Sequence, residues 1–135
     1  TYDLWSGFWP TAPSSPFADR LNAATKYVAT HRPETLAWGP SEALGPDLVA
    51  GVRRIKAQQG PNLVLSGSST LTSPLLEHGL ADDILLLVYP VLLGTGKRFC
   101  AQRIPACSFE LVSTKTTPTG IIASSYKLVG PLRIM

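Results

Sequence analysis

Leu63-Val64-Leu65 runs without a break into Ser66-Gly67-Ser68-Ser69-Thr70, and this junction constrains the chain more than any other stretch. Three consecutive apolar residues leave no wet face. A strand built from them has to be covered on both sides, as in a parallel sheet flanked by helices. The small residues that follow let the backbone turn tightly and approach another group closely. Leu71, Leu75 and Leu76 then recur at helical spacing up to Gly79. Strand, small-residue turn and helix in that order predict an α/β fold.

The rest of the pattern agrees. The first 16 residues combine Trp5, Phe8 and Trp9 with Pro10, Pro13 and Pro16, and read as a short helix followed by a proline-broken loop. Phe17 to Ala24 reads as one or two helical turns. Lys26 to Thr30 reads as a strand closed by His31-Arg32-Pro33, and Leu36 to Trp38 as a second one before Gly39-Pro40. Asp47 to Gln58 carries Leu48, Val52 and Ile55 at helical spacing and Arg53, Arg54 and Lys56 on the other face. Ile84 to Tyr89 is the most apolar strand, and Pro90 to Gly96 turns the chain after it. Ser108 to Lys115 and Ile121 to Leu128 alternate, joined by Thr117-Pro118-Thr119-Gly120, and predict an antiparallel pair. A chain of 135 residues accommodates one domain over residues 1–135.

Composition excludes several classes. With 44% hydrophobic and 16% charged residues the chain is not disordered. Two cysteines, Cys100 and Cys107, supply neither a disulfide framework nor a four-ligand zinc site, which points to a reducing, cytoplasmic setting. Both lie near the Lys97–Pro105 loop, with no local activator. The longest apolar run, Ile84 to Leu93, contains Pro90 and is about half the length that spans a bilayer, so no membrane is expected as a partner. The first residues carry no basic region followed by an apolar stretch. Charge is uneven: residues 1–83 hold six Lys/Arg and eight Asp/Glu, and residues 84–135 hold six Lys/Arg and one Glu. The bases are spread singly, and no nucleic-acid-binding motif accompanies them, so no nucleic acid is expected either.

Three places could carry chemistry. After the apolar run, the start of the Leu71 helix offers N–H groups without intrahelical partners and a partial positive charge, which suits a phosphate. The hydroxyls of Ser68, Ser69 and Thr70 either donate to such a phosphate or cap the helix. Gly94-Thr95-Gly96-Lys97-Arg98 follows the most apolar strand and either lines an anion site or forms a solvated turn. Thr30-His31-Arg32 puts a hydroxyl, an imidazole and a guanidinium at a strand end, a set that holds phosphate monoesters. His78 ends a helix and suits a capping role. No Gly-x-Ser-x-Gly elbow is present, and no spacing fits a metal site.

The ordered set Asp47, Val52-Arg53-Arg54, Gly60-Pro61, Leu63 to Leu71, Leu75-Leu76 and Gly79 to Asp82 continues through Leu85 to Phe99, Glu110-Leu111-Val112, Thr119-Gly120-Ile121 and Tyr126. It is similar to the dihydrofolate-reductase-like domain of bacterial riboflavin-biosynthesis reductases over nearly the whole chain. The resemblance implies a mostly parallel sheet with flanking helices and a C-terminal antiparallel pair. It also implies an NADPH-dependent reductase of a small heterocyclic or carbonyl substrate, acting as a homodimer.

Residue by residue, Ser66, Gly67, Ser68, Ser69, Thr70 and Leu71 match the segment that holds the cofactor's pyrophosphate. Thr30, His31 and Arg32 match the strand end that holds the adenosine ribose and its 2′-phosphate, with Thr30-His31 where relatives often carry Ser-Arg. Thr1 belongs to the same cofactor set. Pro90, Gly94, Thr95 and Gly96 match the turn beside nicotinamide and substrate. Asp82-Asp83 match a structural acidic pair. The resemblance assigns no catalytic residue here; Tyr89 and water are the candidate proton donors.

Relatives open with two strands before a segment whose tail Thr1 to Trp5 resembles. The expectation is therefore of unpaired sheet edges next to the strand at Leu63–Ser66. These would be met by further chain, by a second copy, or by a smaller sheet. The alternative functional reading is a non-catalytic relative that binds nucleotides or dimerises.

Overall fold

Prolines cut the N-terminal region into short pieces, as their missing N–H and fixed φ dictate. In the computed structural model, which describes residues 1–100 and 104–133, Tyr2–Ser6 forms helix α1 and Trp9–Thr11 a single 3-10 turn. Helix α2, Pro16–Ala23, starts on Ser15, whose hydroxyl accepts from Ala18 N at 3.1 Å. Strands β1, Lys26–Val28, and β2, Ser41–Ala43, pair in parallel with Lys26 opposite Ser41. Helix α3, Leu48–Lys56, is capped by Asp47, which accepts from Ala50 N at 2.9 Å.

These elements make up the first of two compact units, Thr1–Val64. Ala18, Trp38, Leu44, Val52 and Ile55 are buried in it. Leu36 to Trp38, expected as a strand, is not one. Trp38 N donates to Tyr2 Oη at 2.9 Å instead of to a ladder, and the Trp38 indole is buried with Nε1 donating to Asn22 Oδ1 at 2.9 Å. The strand lies three residues later, at Ser41–Ala43, where no β-branched residue marked it in the sequence.

Lys26 ties the unit together. Its Nζ stands 4.4 Å from the centre of the Trp38 ring and donates to Asn22 O at 2.8 Å and Gly39 O at 3.2 Å. Burial holds its pKa below the ordinary 10.5. A lysine whose folded pKa is depressed binds fewer protons in the folded state than in the unfolded one over the window just below 10.5. Its contribution to stability therefore rises with pH through that window. Melting temperatures of wild type and Lys26→Met, followed from neutral pH up to about 10.5, should show the wild type gaining on the variant toward the alkaline end.

The second unit, Leu65–Met135, holds helix α4, Ser69–Glu77, and strands β3, Asp83–Val88, β4, Cys107–Thr116, and β5, Ile122–Pro131. The sheet order is β3-β5-β4, antiparallel throughout, with Ile84 opposite Tyr126 and Glu110 opposite Lys127. The predicted hairpin is present. Gly120, at φ 83°, closes its turn, and Thr117 N donates to Ile121 O at 2.9 Å. Register shifts at Ser108/Phe109 and Leu111/Ser113 increase the local twist of β4.

The architecture is mixed α/β, but the mostly parallel sheet is not what forms. Among the described residues β1–β2 is the one parallel pairing. Leu63-Val64-Leu65 joins no ladder, and its side chains are 47, 85 and 43% exposed. Among the described residues β3 pairs on one side only, with Leu85 and Leu87 exposed and Ile84 and Leu86 half-buried. Cys100 and Cys107 are half-buried free thiols, and residues 101–103 of the loop between them lie outside the described residues. No helix among the described residues is long and apolar enough to cross a membrane.

A Cβ on Gly51 would collide with the backbone carbonyl oxygen of Leu44 and lie 3.0 Å from Leu44 Cβ. Gly51→Ala should push α3 off its support and lower stability by about 1–3 kcal/mol, read as a fall in melting temperature.

Candidate functional site

A turn after β1 builds the first candidate site. Pro33 forces the chain into a 3-10 turn, Pro33–Thr35, whose first carbonyl bond runs from Thr35 N to Arg32 O at 3.1 Å. Thr35 Oγ1 adds a second bond to Arg32 O at 2.8 Å, and Arg32 N donates to Thr30 Oγ1 at 2.9 Å. These local bonds fix the backbone of Thr30 to Thr35 and leave the Arg32 guanidinium pointing outward, 64% exposed. Its Nη2 lies 3.6 Å from Asp3 Oδ2 on α1.

A cleft of about 130 Å³ opens there, lined by Thr1, Asp3, Thr30, Arg32 and Thr35 together with Tyr2, Val28, Ala29 and Leu36. Thr1, Thr30 and Arg32, singled out from the sequence, thus come together in one cleft. His31 is exposed and does not line it. Sequence reasoning missed Asp3, Tyr2 and Thr35. Thr35 carried a readable signal, since a hydroxyl three residues after Arg32, with Pro33 between them, suits a 3-10 turn.

The second candidate lies at the start of α4. Gly67, at φ 62°, and Ser68, at φ 56° and ψ 61°, are consecutive left-handed residues. Glycine adopts this region freely, whereas a serine there is disfavoured by roughly 1–2 kcal/mol. The Ser68 side chain makes no capping bond to the helix. Its carbonyl instead accepts from Leu71 N at 2.7 Å and Thr72 N at 3.0 Å. Ser69 and Thr70, in the first turn, have no intrahelical carbonyl for their N–H groups by the geometry of any helix start. Space around Gly67 is open, with no atom within 4 Å of where a Cβ would stand. Backbone N–H groups, hydroxyls and an open approach suit a diphosphate.

Pro90, Gly94, Thr95 and Gly96 sit in irregular, exposed chain after β3. Pro90 is braced by the hairpin: a Cβ on Gly120 would lie 3.4 Å from Pro90 Cγ. Leu92 and Leu93 are 101 and 81% exposed, so this segment presents apolar side chains to solvent ahead of the exposed Lys97 and Arg98. Tyr89, 55% exposed, precedes it. His78 is the C-cap residue of α4, its backbone N–H bonded to Pro74 O at 3.0 Å. Asp82 lies just before β3, its carbonyl accepting from Leu128 N of β5 at 2.9 Å.

The Asp3–Arg32 pair is exposed, and exposed pairs contribute less than about 1 kcal/mol. Arg32→Ala should therefore leave the melting temperature within about 4 °C of wild type, checked by thermal denaturation. A large loss would mean that the guanidinium is structural.

Comparison with known proteins identifies the family and the fold. The family model described as the RibD C-terminal domain matches residues 3–123. The uncharacterized protein YyaP of Bacillus subtilis (strain 168) is similar, at 23% identity over 130 residues, covering 93% of this chain and 69% of that protein. A putative riboflavin biosynthesis protein from Shewanella sp. PV-4 has a similar structure, with TM-score 0.64 and 16% identity over 77% of this chain. So does a pyrimidine reductase-like protein from Corynebacterium diphtheriae, with TM-score 0.56 and 15% identity over 90% of this chain. The chain spans 59% and 48% of the lengths of those two structures. At these identities the likeness concerns the fold.

Proposed function

The chain belongs to the RibD C-terminal domain family, and from that membership we propose a reductase of a small heterocyclic or carbonyl compound that draws on a reduced nicotinamide dinucleotide such as NADPH. The observation that carries the proposal is the left-handed Gly67-Ser68 turn at the start of α4, open to solvent and followed by first-turn N–H groups. Ser66, Gly67, Ser68, Ser69, Thr70 and Leu71 would hold the pyrophosphate. Thr1, Thr30 and Arg32 would hold the adenosine end, with the exposed His31 beside the cleft, the hydroxyl and guanidinium of the cleft donating to ribose or phosphate oxygens. The bound dihydronicotinamide supplies the hydride.

Pro90, Gly94, Thr95 and Gly96 would lie along the substrate, with the exposed Leu92 and Leu93 giving it an apolar surface. Tyr89 or water would deliver the proton. The exposed Leu85 and Leu87 on β3, together with its one-sided pairing, favour a homodimer.

Titration with NADPH, followed by nucleotide fluorescence and by the rise in melting temperature, tests the reading. Saturable binding is expected. Ser68→Glu puts a carboxylate at the turn and should weaken binding by about tenfold or more while the protein stays folded. A folded wild type that binds neither NADPH nor NADH at millimolar concentration would contradict the proposal.

A further inference from the structure

Asp3 stands in the cleft where the proposed cofactor's adenosine ribose would sit, and its carboxylate faces Arg32, the one basic side chain among the described residues that line it. We infer that Asp3 sets the choice of cofactor by occupying Arg32, so that the cleft takes an unphosphorylated ribose and NADH binds at least as well as NADPH. The inference rests on the reading of the cleft given above and adds a selectivity that this reading does not contain.

The argument is electrostatic and geometric. A 2′-phosphate carries nearly two negative charges and needs an unopposed cation within hydrogen-bond reach. Arg32 Nη2 is 3.6 Å from Asp3 Oδ2, so the guanidinium's positive charge is met by a negative one at the mouth of the cleft. A phosphate placed against Arg32 would also lie within a few ångströms of the Asp3 carboxylate, well inside the screening length of about 8 Å at physiological salt. A ribose diol meets the same pair favourably. A carboxylate accepts from a hydroxyl, a guanidinium donates to one, and acidic side chains hold the ribose 2′-hydroxyl in NAD-binding sites of other folds.

The hydroxyls of Thr30 and Thr35 do not restore the missing charge. Thr30 Oγ1 already accepts from Arg32 N, and Thr35 Oγ1 already donates to Arg32 O. Asp3 lies in the first turn of α1 with its side chain 82% exposed, so nothing in the packing requires a carboxylate there.

The test measures dissociation constants of NADH and NADPH for wild type, Asp3→Asn and Asp3→Glu, by fluorescence or calorimetry at low and high salt. Wild type should bind NADH at least as tightly as NADPH. Asp3→Asn should move the ratio toward NADPH by about tenfold at low salt and by less at high salt, while Asp3→Glu keeps the wild-type ratio. Melting temperatures confirm that each variant is folded, and Asp3→Ser provides a second neutral replacement.

A wild type that prefers NADPH severalfold overturns the inference and leaves the cofactor reading standing. So does a ratio that Asp3→Asn and Asp3→Ser leave unchanged while both nucleotides still bind. A folded wild type that binds neither nucleotide overturns both.

Discussion

An extended apolar run becomes a strand only when neighbouring backbone takes up its N–H and C=O groups. That requirement governs this chain. β5 has partners on both sides, and the hairpin with β4 forms over ten residues of each strand. β3 has one partner and exposes Leu85, Leu87 and Val88. Leu63-Val64-Leu65 joins no ladder and stays irregular although its composition is the most strand-like in the first half of the chain. The boundary between the two compact units falls inside this run, between Val64 and Leu65.

Where local bonds suffice, the structure is better determined. In the first unit a lysine, an asparagine and a tryptophan hold one another: Lys26 against the Trp38 ring and Asn22 O, Asn22 Oδ1 on Trp38 Nε1, and Asn22 Nδ2 on Trp9 O. This knot positions the end of α2, β1 and the turn before β2. The cleft opens just beyond it, its shape set by the bonds among Thr30, Arg32 and Thr35. Backbone held by such a turn needs little reorganisation on meeting any ligand, which would keep the entropic cost of recognition low.

Local signals were legible in the sequence, and pairing was not. Ser15 and Asp47 act as caps because their side chains need only a neighbour three residues on. The Thr117–Gly120 turn follows from a proline and a glycine within four residues. Leu63–Leu65 and Leu36–Trp38 misled because an apolar triplet is strand-like only if something lies beside it. Ser41–Ala43 went unseen because its pairing with β1, not its composition, makes it a strand. The candidate site divides the same way. Thr30, Arg32 and the Ser66–Leu71 turn stood out by residue type, while Asp3, on a helix of five residues, became visible only through its 3.6 Å approach to Arg32.

The central claim is that the turn before α4 and the cleft after β1 are nucleotide-binding surfaces. Backbone amide shifts in an isotope-labelled sample titrated with NADPH and NADH test it most directly. The account predicts the largest shifts at Gly67 to Leu71 and at Thr30 to Arg32, each set saturating with added nucleotide. Shifts confined to other residues, or no shifts from a folded protein at millimolar nucleotide, would contradict it.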